Sequence, residues 1–171
     1  MDQSAVPTPS RDQLLDHFAA LNIKAQVVPY PAHKTVEEGK LLRGSMTGTF
    51  TKNLLLKDKK GRLYLLAVDE DRMLDLKAVP PKIGAKGHLS FASAEAMSLL
   101  LGVTPGALTP LGIIHDKEGL VTVVLDACLM GADQINFHPL VQTESIGLPP
   151  SKLLEFIRSC GREPLVVDFD N

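Results

Sequence analysis

Apolar and polar residues follow two periods along this chain, and the change from one to the other marks its elements. Leu14, Leu15, Phe18 and Leu21 recur at the three- and four-residue spacing of a helical face. They follow Ser10-Arg11-Asp12-Gln13, which has the form of a capping box, so a first helix is expected from Ser10 to Leu21. The segment Ala25–Pro31 ("AQVVPYP") reads as a short strand ended by Pro29 and Pro31. "TVEEGKLLRG" reads as a short helix capped by Thr35 and stopped at Gly44. The stretch from Phe50 to Asp71 alternates differently. Two apolar runs flank the turn Asp58-Lys59-Lys60-Gly61, which predicts a β-hairpin. Both runs are nearly continuous in Leu, Val and Ala, as strands buried on both faces are.

Further on, "DRMLDLKAV" has helical spacing and is expected to close at Pro80-Pro81. Ser93 should cap a helix with Ala94, Met97, Leu100 and Leu101 on one side and Gly102 as its stop. Gly102–Gly112 is a glycine–proline loop, Leu120–Asp126 a strand, and a helical turn follows to Gly131. "QINFHP" and "TESIGL" are short strands. The last helix opens at Pro150-Ser151, carries Leu153, Leu154, Ile157 and Cys160 on its apolar side and ends at Gly161, before a final extended "PLVVDF". Strands and helices mix without strict alternation. The fold class is α/β in one domain: a mixed sheet flanked by helices over residues 10–171, behind a flexible leader over residues 1–9.

Composition narrows the function. The 171 residues carry 18 Lys and Arg against 20 Asp and Glu, a net charge of -2, which argues against wrapping duplex DNA. No apolar run is long enough to cross a membrane, and the expected location is the cytoplasm. Cys128 and Cys160 lie far apart in apolar surroundings and read as packed, reduced thiols. The five histidines form no metal-ligand spacing, and neither metal nor cofactor is expected.

Three features could carry chemistry. Lys52 stands at the mouth of an apolar strand, either reaching back to water or fixed by the strand for a phosphate or carbonyl. Gly106-Ala107-Leu108-Thr109-Pro110 is either a surface turn or a loop whose N–H groups face a ligand. His138, before a proline at a strand end, is either structural or part of a pocket wall. The basic cluster Lys57, Lys59, Lys60 and Arg62 reads most simply as a solvated turn, and His17 as a solvated helix residue. No paired carboxylates, P-loop or nucleophile elbow are present.

At "TKNLLLKDKKGRLYLL", "GVTPGALTPLGIIHDKEG" and "INFHPLVQTESIGLPPSKLLEFIRSCGREP" the chain resembles the editing-domain superfamily of bacterial prolyl-tRNA synthetase and its free-standing relatives, from Arg11 to Val167. Within it the chain looks most like the alanyl-tRNA(Pro) deacylases, with the cysteinyl-tRNA(Pro) deacylases as the sister branch. The resemblance implies a compact, partly barrel-like mixed sheet and trans-editing: hydrolysis of the ester that joins a wrong amino acid to the 3′ end of tRNA(Pro). The implied partners are that mischarged 3′ end and prolyl-tRNA synthetase. By the same resemblance Lys52 positions the tRNA end and Gly106 lends its backbone to catalysis, while Asn53, Ala107, Leu108, Thr109, Pro110 and His138 bind substrate. A ribose hydroxyl of the substrate helps activate water. Phe50 and His115 depart from the family pattern, which bears on side-chain selectivity. A non-catalytic aminoacyl-tRNA or nucleotide-binding module is the rival reading from another class.

Overall fold

A computed structural model describes residues 11–30, 37–38 and 47–170. Its strands β1 (Gln26–Pro29), β2 (Thr49–Lys57), β3 (Leu63–Asp69), β4 (Ser90–Phe91), β5 (Val121–Asp126), β6 (Ile135–Phe137), β7 (Glu144–Leu148) and β8 (Leu165–Val167) form one mixed sheet. The order is β1-β7-β6-β2-β3-β5-β8, with β4 attached to β2. β2 pairs with β6, β3 with β5, and β5 with β8 in parallel; the other pairings are antiparallel. β1 and β8 end the sheet, so among the described strands it is open, and the expected partial barrel is not closed.

Two apolar layers hold the sheet. On one face α1 (Arg11–Ala20), α3 (Ala94–Leu101) and α4 (Pro150–Ser159) bring Leu14, Phe18, Leu101, Leu153 and Phe156 onto Leu55, Leu65, Ala67 and Leu125. Phe18 meets Phe156 edge-on at 5.1 Å, and each such buried ring or Leu contributes roughly 1.5–3 kcal/mol. On the other face the single-turn α2 (Pro80–Ile83) and Val79 cover Leu56, Tyr64, Leu66 and Val124. β3 is flanked on both edges and covered on both faces, which explains its unbroken apolar run.

The hairpin, the Ser93 cap, the Gly102 stop and the last helix stand as the sequence implies. Four readings are corrected. Residues 71–79 are turns rather than a helix, and Pro80-Pro81 open α2 instead of closing a helix. A proline lacks the N–H of a helix interior but suits a first turn. The Gly102–Gly112 loop contains two 3-10 helices, Pro105–Ala107 and Pro110–Ile114, and from Ala107 to Ile113 it is buried. Cys128 is exposed, because the Asp126 carboxylate caps the 3-10 helix Ala127–Gly131 at the Cys128 N–H and Leu129 takes the inward position. His17 is half-buried rather than solvated: its Nε2 meets Ser159 Oγ at 2.8 Å and its ring stands edge-on to Phe156. The expected leader, and the helix from Thr35 to Gly44 apart from helical Glu37-Glu38, lie outside the described residues.

Candidate active site

The Gly106–Pro110 turn meets the loop after β6 at a cavity of about 480 Å³. Of the turn Ala107 alone lines it, with Thr104 just before; Ser98 and Gly102 line it from the end of α3, and Leu140 and Gln142 from the β6–β7 loop. This lies in the size range of ligand pockets. None of its lining residues titrates near neutral pH.

The turn is a rigid part of the core. Ala107, Leu108, Thr109 and Pro110 are buried, and Thr109 Oγ1 accepts from the Leu111 N–H at 3.2 Å. The N–H groups of Ala107 and Leu108 close onto the carbonyls of Thr104 and Pro105, at 2.9 and 3.4 Å. A Cβ on Gly106 would sit 2.2 Å from Gln142 Oε1, so the missing side chain lets the two loops touch.

His138 lies just before the cavity loop. Its Nδ1 lies 2.9 Å from the Glu144 carbonyl, which can only accept, so Nδ1 carries the donated proton. Its ring is 5.8 Å from that of buried Tyr30. Two residues on, Leu140 has φ of 71°, a left-handed conformation costing a residue with a Cβ of order 1 kcal/mol. His115 packs its ring against Gly102, at the cavity edge.

Lys52 and Asn53 are separated by the pleat of β2. Leu55 packs in the larger core with Ala107 and Leu108, whereas Leu54 and Leu56 pack in the smaller one. Asn53 therefore faces the side of the Gly106 turn and Lys52 the opposite side. Asn53 Oδ1 is buried without a hydrogen-bond partner, although its Nδ2 donates to Thr51 Oγ1 at 3.3 Å. An unpaired buried acceptor costs of order 1–3 kcal/mol, an expense a ligand donor would relieve.

The Lys52 ammonium donates to the main-chain carbonyl of Arg72 and lines neither this cavity nor a second one of about 600 Å³ beside His17 and Cys160. The structure thus brings the glycine–proline turn to the histidine loop and leaves Lys52 apart from them. Arg72 is itself clamped, its Nε on buried Asp126 and its terminal nitrogens on Asp170 at 2.8 and 3.2 Å. Arg72, Leu140 and Gln142 carry no signal in the periodicity. A search for residues able to reach Lys52 from the loop after the hairpin would have turned up Arg72.

Among the described residues no group of three or more His, Cys, Asp or Glu side chains is arranged to hold a metal, and no helix is long and apolar enough to cross a membrane.

Comparison with known proteins gives the class of domain: the chain belongs to the aminoacyl-tRNA editing domain family, whose model matches residues 30–156. Its curated relatives include the prolyl-tRNA synthetase associated domain-containing protein 1 of Bos taurus, 37% identical over 164 residues that cover 94% of this chain and 95% of that protein. The prolyl-tRNA editing protein ProX of Acetoanaerobium sticklandii is 32% identical over 142 residues, 82% of this chain and 86% of its own. A crystal structure described as a candidate trans-editing enzyme for prolyl-tRNA synthetase superposes with a TM-score of 0.71 at 26% identity, covering 96% of this chain and 98% of that one.

Proposed function

We propose that this protein hydrolyses the ester of mischarged tRNA(Pro), with alanyl-tRNA(Pro) as its preferred substrate, in the cytoplasm and alongside prolyl-tRNA synthetase. The observation that carries the reading is the cavity shared by the Gly106 turn and the loop after His138, in a chain of the aminoacyl-tRNA editing family.

Ester hydrolysis needs water to attack the acyl carbon, donors for the oxyanion that forms, and a proton for the ribose oxygen that leaves. The turn spends the N–H groups of Ala107 and Leu108 internally, which leaves those of Gly106 and Thr109; Gly106, the exposed one, is its donor toward the oxyanion. The lining offers no titratable base, so proton transfer falls to the neighbouring ribose hydroxyl of the substrate. Asn53, on the turn's side of β2 but outside the cavity lining, is assigned an acceptor role toward the substrate through its unpaired Oδ1, and Lys52, on the opposite side, is assigned to the tRNA backbone rather than to the reacting ester.

Selectivity follows from overlap. A lost methylene contact separates two substrates by only about 1–3 kcal/mol, whereas a rigid wall rejects the larger one outright. Ala107 and the strained Leu140 loop line the cavity and would form such a wall, backed by buried Leu108 and Thr109, by the anchored His138 ring before the loop, and by His115 behind Gly102.

The deciding experiment is a deacylation panel of alanyl-, cysteinyl- and prolyl-tRNA(Pro). Release of alanine alone is expected. Release of cysteine alone would move the protein to the sister branch, and binding of all three without release would make it a non-catalytic module.

A further inference from the structure

The hairpin turn between β2 and β3 is stitched to a distant segment by one buried carboxylate. Asp58 accepts from the N–H groups of Lys60 and Arg62, each at 2.9 Å, from Arg62 Nε at 3.0 Å, and from the Lys86 N–H at 3.0 Å. The Lys59 N–H donates to the Lys86 carbonyl at 2.8 Å. The Cα of Gly87, at φ of 70°, lies so close to Lys59 that a Cβ there would come within 2.8 Å of the lysine's own. Two loops are thereby locked into one surface that exposes Lys57, Lys59, Lys60, Arg62 and Lys86. The carboxylate among them is buried and already engaged, and the sequence holds no Asp or Glu from Leu76 to Ala94. A chain of net charge -2 thus concentrates positive charge at one end.

An aromatic ring stands beside that end. Phe91 is 64% exposed on β4, directly across from Leu56, so the pleat sets it on the face that also carries Lys52. Along β2 the order is Lys52, then Phe91 about 13 Å away, then the basic end about 17 Å away, at ~3.3 Å per residue.

We propose that this basic end, with Phe91, is the docking surface for the acceptor arm of the tRNA: the lysines meet duplex phosphates and Phe91 stacks a base of the unpaired 3′ end. The inference rests on the editing function proposed above. A solvated turn needs neither the lock to Lys86 nor an exposed ring next to it. Stacking platforms beside cationic grooves are how proteins hold single-stranded ends, and phosphate contacts supply the affinity. The partner is RNA rather than an acidic protein, because ring and lysines line up along one strand toward Lys52.

The test compares wild type, the triple variant Lys59→Ala/Lys60→Ala/Lys86→Ala, and Phe91→Ser. One assay is fluorescence anisotropy with transcribed tRNA(Pro) across a KCl series. The other is turnover of the minimal ester alanyl-adenosine, which has no acceptor arm. The triple variant should bind tRNA at least tenfold more weakly, with a log–log salt slope shallower by roughly 2–3, about 1 for each lysine removed. Phe91→Ser should weaken binding roughly tenfold with little change in slope. Both variants should turn over alanyl-adenosine as the wild type does. Unchanged tRNA affinity in the triple variant, or equal losses on tRNA and alanyl-adenosine, would overturn the proposal. Wild type that cleaves no ester while the variants still lose tRNA binding would overturn the editing function and leave the docking surface standing.

Discussion

The Lys52 ammonium rests on the main-chain carbonyl of Arg72, twenty residues along the chain. The contact fixes a flexible four-carbon side chain without using another charge. Replacing Lys52 with Ala should lower single-turnover deacylation of alanyl-tRNA(Pro) at sub-saturating tRNA by about tenfold, as loss of one charged contact to the tRNA backbone outside the cavity does. The fold should lose only one hydrogen bond, about 1 kcal/mol, or a melting shift of a few degrees. Turnover within threefold of wild type would remove Lys52 from the site and leave it a purely structural residue.

Gly106 does not need a left-handed backbone, so Ala is compatible with its conformation. The added Cβ meets only the terminal amide of Gln142, Oε1 and Cδ, the far end of an exposed side chain. Gly106→Ala should cost under about 1 kcal/mol by thermal melting. Turnover should fall by at least tenfold if the turn faces the acyl group. Combining it with Gln142→Ala separates causes: recovery of activity would trace the loss to the displaced glutamine, and persistent loss to the turn itself.

His138→Ala should widen the substrate range. The ring is held by the Glu144 carbonyl, and its removal opens space in the wall before Leu140. The rate ratio of prolyl- to alanyl-tRNA(Pro) should rise about tenfold or more, within the span that one side chain of pocket shape controls. An unchanged ratio in the deacylation panel would place the ring outside the wall.

Asp58 sets an acid limit on the hairpin. Burial pushes its carboxyl upward, but the Lys86, Arg62 and Lys60 N–H groups and the Arg62 guanidinium outweigh this and hold it down at about 2. A carboxyl lowered on folding stabilises the native state above its unfolded value, near 4, and that stability is lost as pH falls toward 2. Asp58→Asn should destabilise the protein at pH 7 and flatten its loss of stability between pH 4 and pH 2. Denaturant unfolding across that window measures both. Equal acid sensitivity in variant and wild type would contradict the assignment.

Asp116 and Arg162 form an inward pair, 2.7 Å apart with side-chain exposures of 1% and 12%. Asp116 also takes the N–H groups of Leu120 and Val121. Asp116→Ala should cost about 3–5 kcal/mol, because the guanidinium is left inside without a counter-charge. A loss below 1 kcal/mol in urea unfolding would show the guanidinium escaping to water.

Much of this could be read from the residues in order. The Leu and Val runs of the hairpin, the Ser93 cap and the Gly102 stop are local signals, and local physics determines them. The Asp71–Val79 segment has helical spacing but is not a helix. Arg72 is drawn to Asp126 and Asp170, a demand made by residues 54 and 98 positions away. The separation of Lys52 from the Gly106 turn was equally hidden, since a motif gives neighbours in sequence while the pleat sends them to opposite faces. The turn and the loop that follows the histidine were legible as motifs, and the fold brings those two segments to one cavity. The cavity between them depends on Gln142 and Leu140, whose types announce nothing.

The clasp of Arg72 by Asp170 closes a loop of nearly a hundred residues around the lysine's anchor. The Asp170 side chain is 71% exposed, so the pair adds little stability by itself, and its effect is local: it steadies the arginine whose carbonyl receives the lysine.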